Sequence, residues 1–352
     1  MLNKNNFAEV LTALLDNDRP FPPRYLERFS DLEPEDSFKL KQIWTNIRLQ
    51  RRVDLMDDLE KLSEVETLVQ FEEVAKIGLE DSDPRVRVVA IRLLWEVEDK
   101  YLIPSLLRLM KEDPSEEVRS AAATALGKYI YLGELEEIPQ STYQMLEDEL
   151  LQVISSTEKP SVRQKALEAI SFSAREEAIE LIRTAYESGD HNWLISALIA
   201  MGRSGDERWG KIVLSHLQDE DSELRFEAVR AAGELSLAVA RQPLLEMLTE
   251  EGLEEDTHFA AIWSLSEIGG RGVREVLEAL RDSSEDEEMT EFLEEAFVNL
   301  EFTEGLDQLD FLHIDPLDHL DLDHIIDLEP NDDPSADDSG QPTKRKSHKK
   351  SS

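Results

Sequence analysis

Cysteine is absent from the 352-residue sequence. Disulfides, thiolate metal sites and thiol nucleophiles are therefore excluded, while the redox compartment stays open. Positive charge is scarce: 38 basic side chains face 78 acidic ones, and the formal net charge of −40 opposes phosphate backbones and anionic lipid surfaces. The body of the chain is not expected to bind nucleic acid or membrane. No stretch approaches the ~20 apolar residues of a membrane span, and the opening MLNKNNFAEVLTALLDNDRP lacks the apolar run of a secretory signal. A soluble cytoplasmic protein is the expectation. A Gly-rich phosphate loop, G-x-S-x-G, H-E-x-x-H and EF-hand spacing are all missing as well.

What the sequence does contain is a returning phrase. DPSEEVRSAAATALG (113–127) sets an acidic turn before Val-Arg and then small or apolar residues at helical spacing. The same pattern recurs with Val118 replaced by Val86, Val162, Trp193, Leu224, Thr257 and Met289, at successive spacings of 32, 44, 31, 31, 33 and 32 residues. Apolar residues follow at offsets 0, +4, +7 and +8 from this anchor, and each phrase opens with helix-starting Asp, Glu, Ser or Pro. These are second helices. Between them lie amphipathic first helices near 71–81, 102–113, 146–155, 175–188, 208–219, 240–250 and 273–282. A lone hairpin would leave its apolar stripe in water, so neighbours must stack. The prediction is an all-α solenoid of seven helix pairs over 69–302, on the order of 60–70 Å long at the usual interhelix spacing.

The acidic turns, the Val-Arg pairs at 86–87, 118–119 and 162–163, Leu224-Arg225 and the Ala-x-x-Ala-Leu-Gly ending at Gly127 resemble the HEAT-repeat family. They resemble in particular the short HEAT-like repeats first associated with phycobilisome lyases. The resemblance covers roughly two thirds of the chain and implies a fold that hosts many roles. Repeats four, six and seven depart from it, with Trp193-Leu194, Thr257-His258 and Met289-Thr290 in place of Val-Arg. None of the seven histidines is followed by Glu, so the paired His-Glu motifs of the iron-dependent HEAT-repeat hydroxylase that modifies a translation factor are missing.

Residues 1–68 fit the period poorly. Helices are expected near 5–16 and 37–62, separated by the breakers Pro20, Pro22 and Pro23. The reading is an N-terminal cap over the first repeat, with a separate small helical domain as the alternative. His191, His216, His258 and His348 do not converge in the pattern. Arg87, Arg119, Arg163 and Arg225 each follow an anchor within reach of a turn carboxylate and read as a structural ladder rather than a basic binding row. Trp193 is expected in the core, and Trp44, Trp95 and Trp209 half-buried. The extra residues at 130–142, which produce the 44-residue spacing, read as a longer surface loop.

Offsets +2 and +6 in the second helices lie 200° and 240° from the anchor and should face away from the core. In repeats four to six they are Ile195, Ile199, Phe226, Arg230, Phe259 and Trp263, side by side on what is normally the concave surface. Contiguous apolar, aromatic and arginine side chains suggest a protein-binding interface. The competing explanation is curvature tight enough for adjacent second helices to bury these groups against each other.

From Thr303 to Thr343 there are 13 acidic residues and no Lys or Arg, with four prolines, before the basic KRKSHKK at 344–350. The segment 303–352 is expected to be a disordered tail. Its leucines and isoleucines, Leu317, Leu320, Leu322, Ile325, Ile326 and Leu328 among them, are too many for a spacer and read as a recognition segment that docks on a partner or folds back on repeats four to six. Asp318, His319, Asp321, Asp323 and His324 on an untethered peptide make a weak metal site at best. The reading is a non-enzymatic scaffold with no cofactor and no metal, monomeric, binding a protein or peptide, with a basic partner favoured by the charge. The alternative is an accessory subunit of an enzyme, a lyase-like cofactor or protein-modification factor.

Overall fold

The computed structural model describes residues 7–66, 68–250 and 252–309, all within one compact unit that ends at Leu309. Every regular element among the described residues is helical. Helices α1 (Phe7–Leu15), α2 (Pro34–Ile43) and α3 (Leu49–Val65) precede the repeats. Seven pairs then follow: α4 (Glu72–Gly78) with α5 (Pro84–Leu93), α6 (Ile103–Glu112) with α7 (Glu116–Glu134), α8 (Gln140–Ser155) with α9 (Pro160–Ile170) and α10 (Glu176–Glu187) with α11 (His191–Arg203). The last three are α12 (Gly210–His216) with α13 (Ser222–Glu234), α14 (Arg241–Met247) with α15 (Glu255–Ile268), and α16 (Val273–Ser283) with α17 (Glu287–Leu309). Each anchor falls on the second member of its pair, as the spacing predicts.

Local chemistry explains why these helices start where they do. Asp83, Asp190 and Asp221 cap α5, α11 and α13 by accepting from backbone N–H groups of the first turn, and Pro84 and Pro160 occupy first-turn positions where no N–H is needed. Short 3-10 turns at Lys100–Leu102 and Glu207–Trp209, capped by Asp99 and Asp206, lead into the next first helices. The chain thus reverses in a few residues, which forces consecutive helices to lie antiparallel and share one apolar seam.

Second helices stack directly on one another, from α5 on α7 through to α15 on α17. Their approach is close because small residues line it. A Cβ placed on Gly233 would stand 2.7 Å from the Ser264 Cα, and one on Gly202 would stand 2.9 Å from the Ala231 Cα. No side chain fits there, so the backbones of α11, α13 and α15 meet almost surface to surface. The anchors Val86, Val118 and Val162 are fully buried beneath this row.

The arginines form the expected ladder at three positions. Arg87 reaches back to the Asp81 carbonyl and forward to both carboxylate oxygens of Asp113; Arg119 repeats this with the Asp113 carbonyl and Glu158, and Arg225 with the Asp219 carbonyl and Glu254. Arg163 departs from it. It bonds to the Ile154 carbonyl and lies 5.3 Å from the Trp193 ring centroid. One rung was not anticipated: Arg52 on α3 bonds to the Ile47 carbonyl and pairs with Asp81 at 2.7 Å, both side chains buried.

Three expectations are corrected. The 37–62 helix is two helices, because the chain turns at Trp44–Asn46 to send the Trp44 indole N–H 2.6 Å from the Asp81 carboxylate. This turn lets α3 stand in the second-helix row against α5. The insertion at 130–142 is taken up mainly as extra helix, with only 135–139 outside α7 and α8; Gly133 seats the Tyr143 ring, whose hydroxyl donates to Glu134. Finally, Trp44 and Trp209 are buried and Trp95 is exposed, rather than all three half-buried; Trp193 is half-buried against the core. At the other end, α17 continues to Leu309, past the 302 where the sequence period fades, and is tied back by Arg274 to Glu304 at 2.7 Å.

Candidate functional site

On the second-helix face, α13, α15 and α17 bound a groove of about 590 Å³. Phe226 and Arg230 come from α13, Phe259 and Trp263 from α15, and Phe292 from α17. Phe226, Arg230 and Phe259 are half-buried, and Trp263 is 38% exposed. Ile195 stands beside this groove, in a smaller recess of about 250 Å³ that shares Phe226 and Asp256 with it. Ile199 is not exposed as the helical geometry predicts. It is 8% accessible, like Glu168 at the same offset one repeat earlier, which is 3% accessible. Offset +6 is thus closed in repeats three and four. The curvature explanation therefore holds for Ile199, while repeats five to seven remain open.

Phe292 was missed by the pattern. It occupies offset +3, which faces the preceding second helix and elsewhere carries Val89, Ala121, Lys165, Ser196, Glu227 or Ala260. A large aromatic there fills the groove wall: its ring meets Phe259 edge-on at 4.8 Å and Trp263 at 6.1 Å. The signal was present as one aromatic residue in a column that carries no other.

The groove is acidic as well as aromatic. Asp256, Glu234, Glu267 and Glu288 line it against one guanidinium, Arg230, which is held by Glu227 at 3.1 Å and Glu234 at 3.3 Å. Burial pushes the Glu227, Glu234 and Glu267 carboxyls above the ordinary glutamate range, only partly offset by Arg230. The Trp263 indole N–H donates to Glu267 at 3.0 Å, which fixes the ring's orientation at the mouth. One repeat row away, Glu168 accepts from the Ser196 hydroxyl at 2.8 Å and from Lys165.

The histidines serve local roles. His191 meets Asp221 at 2.8 Å, and His216 bridges Asp219 at 2.8 Å and the Tyr186 hydroxyl at 3.0 Å. His258 is half-buried and its pKa is pushed down by desolvation. No group of three or more His, Asp or Glu among the described residues is arranged to hold a metal ion, and no helix there is long and apolar enough to cross a membrane. The tail residues Leu317, Leu320, Leu322, Ile325, Ile326 and Leu328, the Asp and His residues among them, and the basic 344–350 lie outside the described residues.

Comparison with known proteins adds the repeat type. A family model for HEAT repeats matches residues 72–148 and 210–296. Among solved structures, the complex of CpcE and CpcF of phycocyanin lyase from Nostoc sp. PCC7120 is similar, with a TM-score of 0.47 and 17% identity, covering 81% of this chain and 97% of that one. The Escherichia coli protein YibA gives 0.39 and 16%, covering 81% and 99%, and human deoxyhypusine hydroxylase in complex with glycerol gives 0.34 and 16%, covering 84% and 96%. No curated protein matches the sequence. Helix pairs in register with every anchor agree with the two matched blocks, so the chain carries HEAT repeats over both.

Proposed function

We propose that this protein is a non-enzymatic interaction scaffold whose second-helix face binds a protein or peptide partner. The observation that carries the reading is the groove over repeats five to seven, where Phe226, Phe259, Trp263 and Phe292 remain within reach of solvent although the same face is closed at Ile199 and Glu168. Aromatic side chains held rigidly by their neighbours lose little entropy on contact and dominate binding energetics where they are desolvated. His191 and His216 are each engaged locally, which supports binding rather than turnover.

The test is affinity capture by the intact protein, compared with Trp263→Ala and with Phe226→Ser/Phe259→Ser/Trp263→Ser. Both variants are to be checked for helical circular dichroism, because Phe226 and Phe259 also contribute packing. Loss of the same partner from both, with the helical signal retained, supports the scaffold. A partner set unchanged in a folded variant removes this face from consideration.

A further inference from the structure

The groove already contains one arginine seated in the manner a guest would adopt. The Arg230 guanidinium lies 5.8 Å from the Phe226 ring centroid and is paired with Glu227 and Glu234. Across the groove the same ingredients recur without a cation. Phe259 and Phe292 meet edge-on, Trp263 faces the opening, and Asp256, Glu267 and Glu288 have no ion-pair partner among the described residues. Three carboxylates without a countercharge beside apolar rings, Glu267 bonded only to the Trp263 N–H, decide between classes of guest. A leucine or phenylalanine side chain would desolvate them with nothing in return, and an acidic peptide would be repelled. A cationic side chain satisfies both components, its methylene stem against the rings and its head among the carboxylates.

The geometry points to an extended basic peptide as the partner, with arginine or lysine side chains seated against Phe259, Trp263 and Phe292, one charge answered by Glu267 and another, about three helical turns along the groove, by Asp256 and Glu288. This rests on the scaffold reading above and narrows it. The chain's net charge of −40 supplies long-range attraction to such a peptide, and the groove supplies the local fit.

The experiment measures fluorescence anisotropy of a labelled RGRGRGRG peptide on the full-length chain, at about 50 and about 300 mM salt. The comparison peptides replace arginine by citrulline, its neutral isostere, or by leucine. Binding of the arginine peptide at least tenfold tighter than either is expected. The variant Asp256→Asn/Glu267→Gln/Glu288→Gln should lose at least tenfold. A control with the same change in net charge at exposed sites elsewhere, Glu66→Gln/Glu96→Gln/Glu136→Gln, should stay within about twofold. Equal loss in both triple variants would mean general attraction to an acidic body, and the inference falls. Equal binding of citrulline or leucine peptides also overturns it, yet if that binding still requires Trp263 the scaffold reading survives. No binding by any peptide overturns the inference and leaves the scaffold reading to its own capture test.

Discussion

Arg87 and Asp113 form a two-pronged ion pair, Nε to Oδ2 and Nη2 to Oδ1, each at 2.7 Å, with both side chains buried. The third donor of Arg87 reaches the Asp81 carbonyl, and Asp81 in turn holds Arg52 and Trp44. One hydrogen-bonded chain therefore fastens the turns of three successive layers. Each rung joins a second helix to the turn that opens the following second helix, so the ladder sets the spacing of the array as well as its strength.

Arg87→Met should destabilise the protein by about 3–5 kcal/mol, since it leaves the Asp113 carboxylate buried without a countercharge. Arg87→Lys should recover only part of this, because an ammonium cannot serve both oxygens and the carbonyl at once. Asp113→Asn should cost less than the methionine variant. Chemical denaturation of the three proteins orders them; an Arg87→Met protein as stable as the parent would show the rung to be ornamental.

Gly233→Ala sets two effects of opposite sign against each other. In an open helix alanine is better than glycine by about 1 kcal/mol. Here the new methyl would meet the Ser264 backbone at 2.7 Å, so α13 and α15 must move apart, a disturbance of about 1–3 kcal/mol. Net destabilisation is expected, and a raised melting temperature would disprove the close approach of these helices.

The repeat phrase reported the fold well because burial of one stripe is a local requirement written into every pair. Val86, Val118 and Val162 sit where the period puts them, and even Thr257, a weak match, is 1% accessible. The site was harder to read because exposure on the opposite face depends on how closely neighbouring helices approach, a property of pairs of residues distant in sequence. Ile195 and Ile199 look equivalent on a helical wheel, yet the first is half-buried and the second buried. Arg52 escaped notice because its turn carries Ile47 and Arg48 where later repeats carry acids. Phe292 escaped because no other repeat places an aromatic in its column.

Phe292→Ala should loosen the end of the array selectively. The side chain is half-buried, so the loss should be about 1–2 kcal/mol, below that of a fully buried phenylalanine. Since each repeat touches only its neighbours, hydrogen exchange should accelerate in α15 and α17 while α5 and α7 keep their protection. Uniform acceleration along the chain would argue for a single cooperative block.

The glutamates of the groove should titrate apart from those of the ladder. Glu227 faces Arg230, Arg203, Glu168 and Glu234; Glu234 faces Arg230, Arg203 and Glu267; and Glu267 faces Trp263 and Arg230. For all three, burial dominates and raises the midpoint above 4.5. Glu158 and Glu254, bonded to Arg119 and Arg225, are lowered below it. The two groups act on stability with opposite sign. A raised carboxyl binds its proton more tightly in the folded state, so acidification from neutrality through its midpoint relieves the burial penalty and favours the fold locally. A lowered carboxyl stabilises the fold above 4.5 and loses that contribution as the pH falls through its own depressed midpoint. Carbon-detected NMR of the side-chain carboxyls should thus find Glu227, Glu234 and Glu267 protonating first and Glu158 and Glu254 last. Protection of α13 and α15, corrected for intrinsic exchange, should rise in the first interval, whereas indistinguishable midpoints would contradict the desolvated character of the groove.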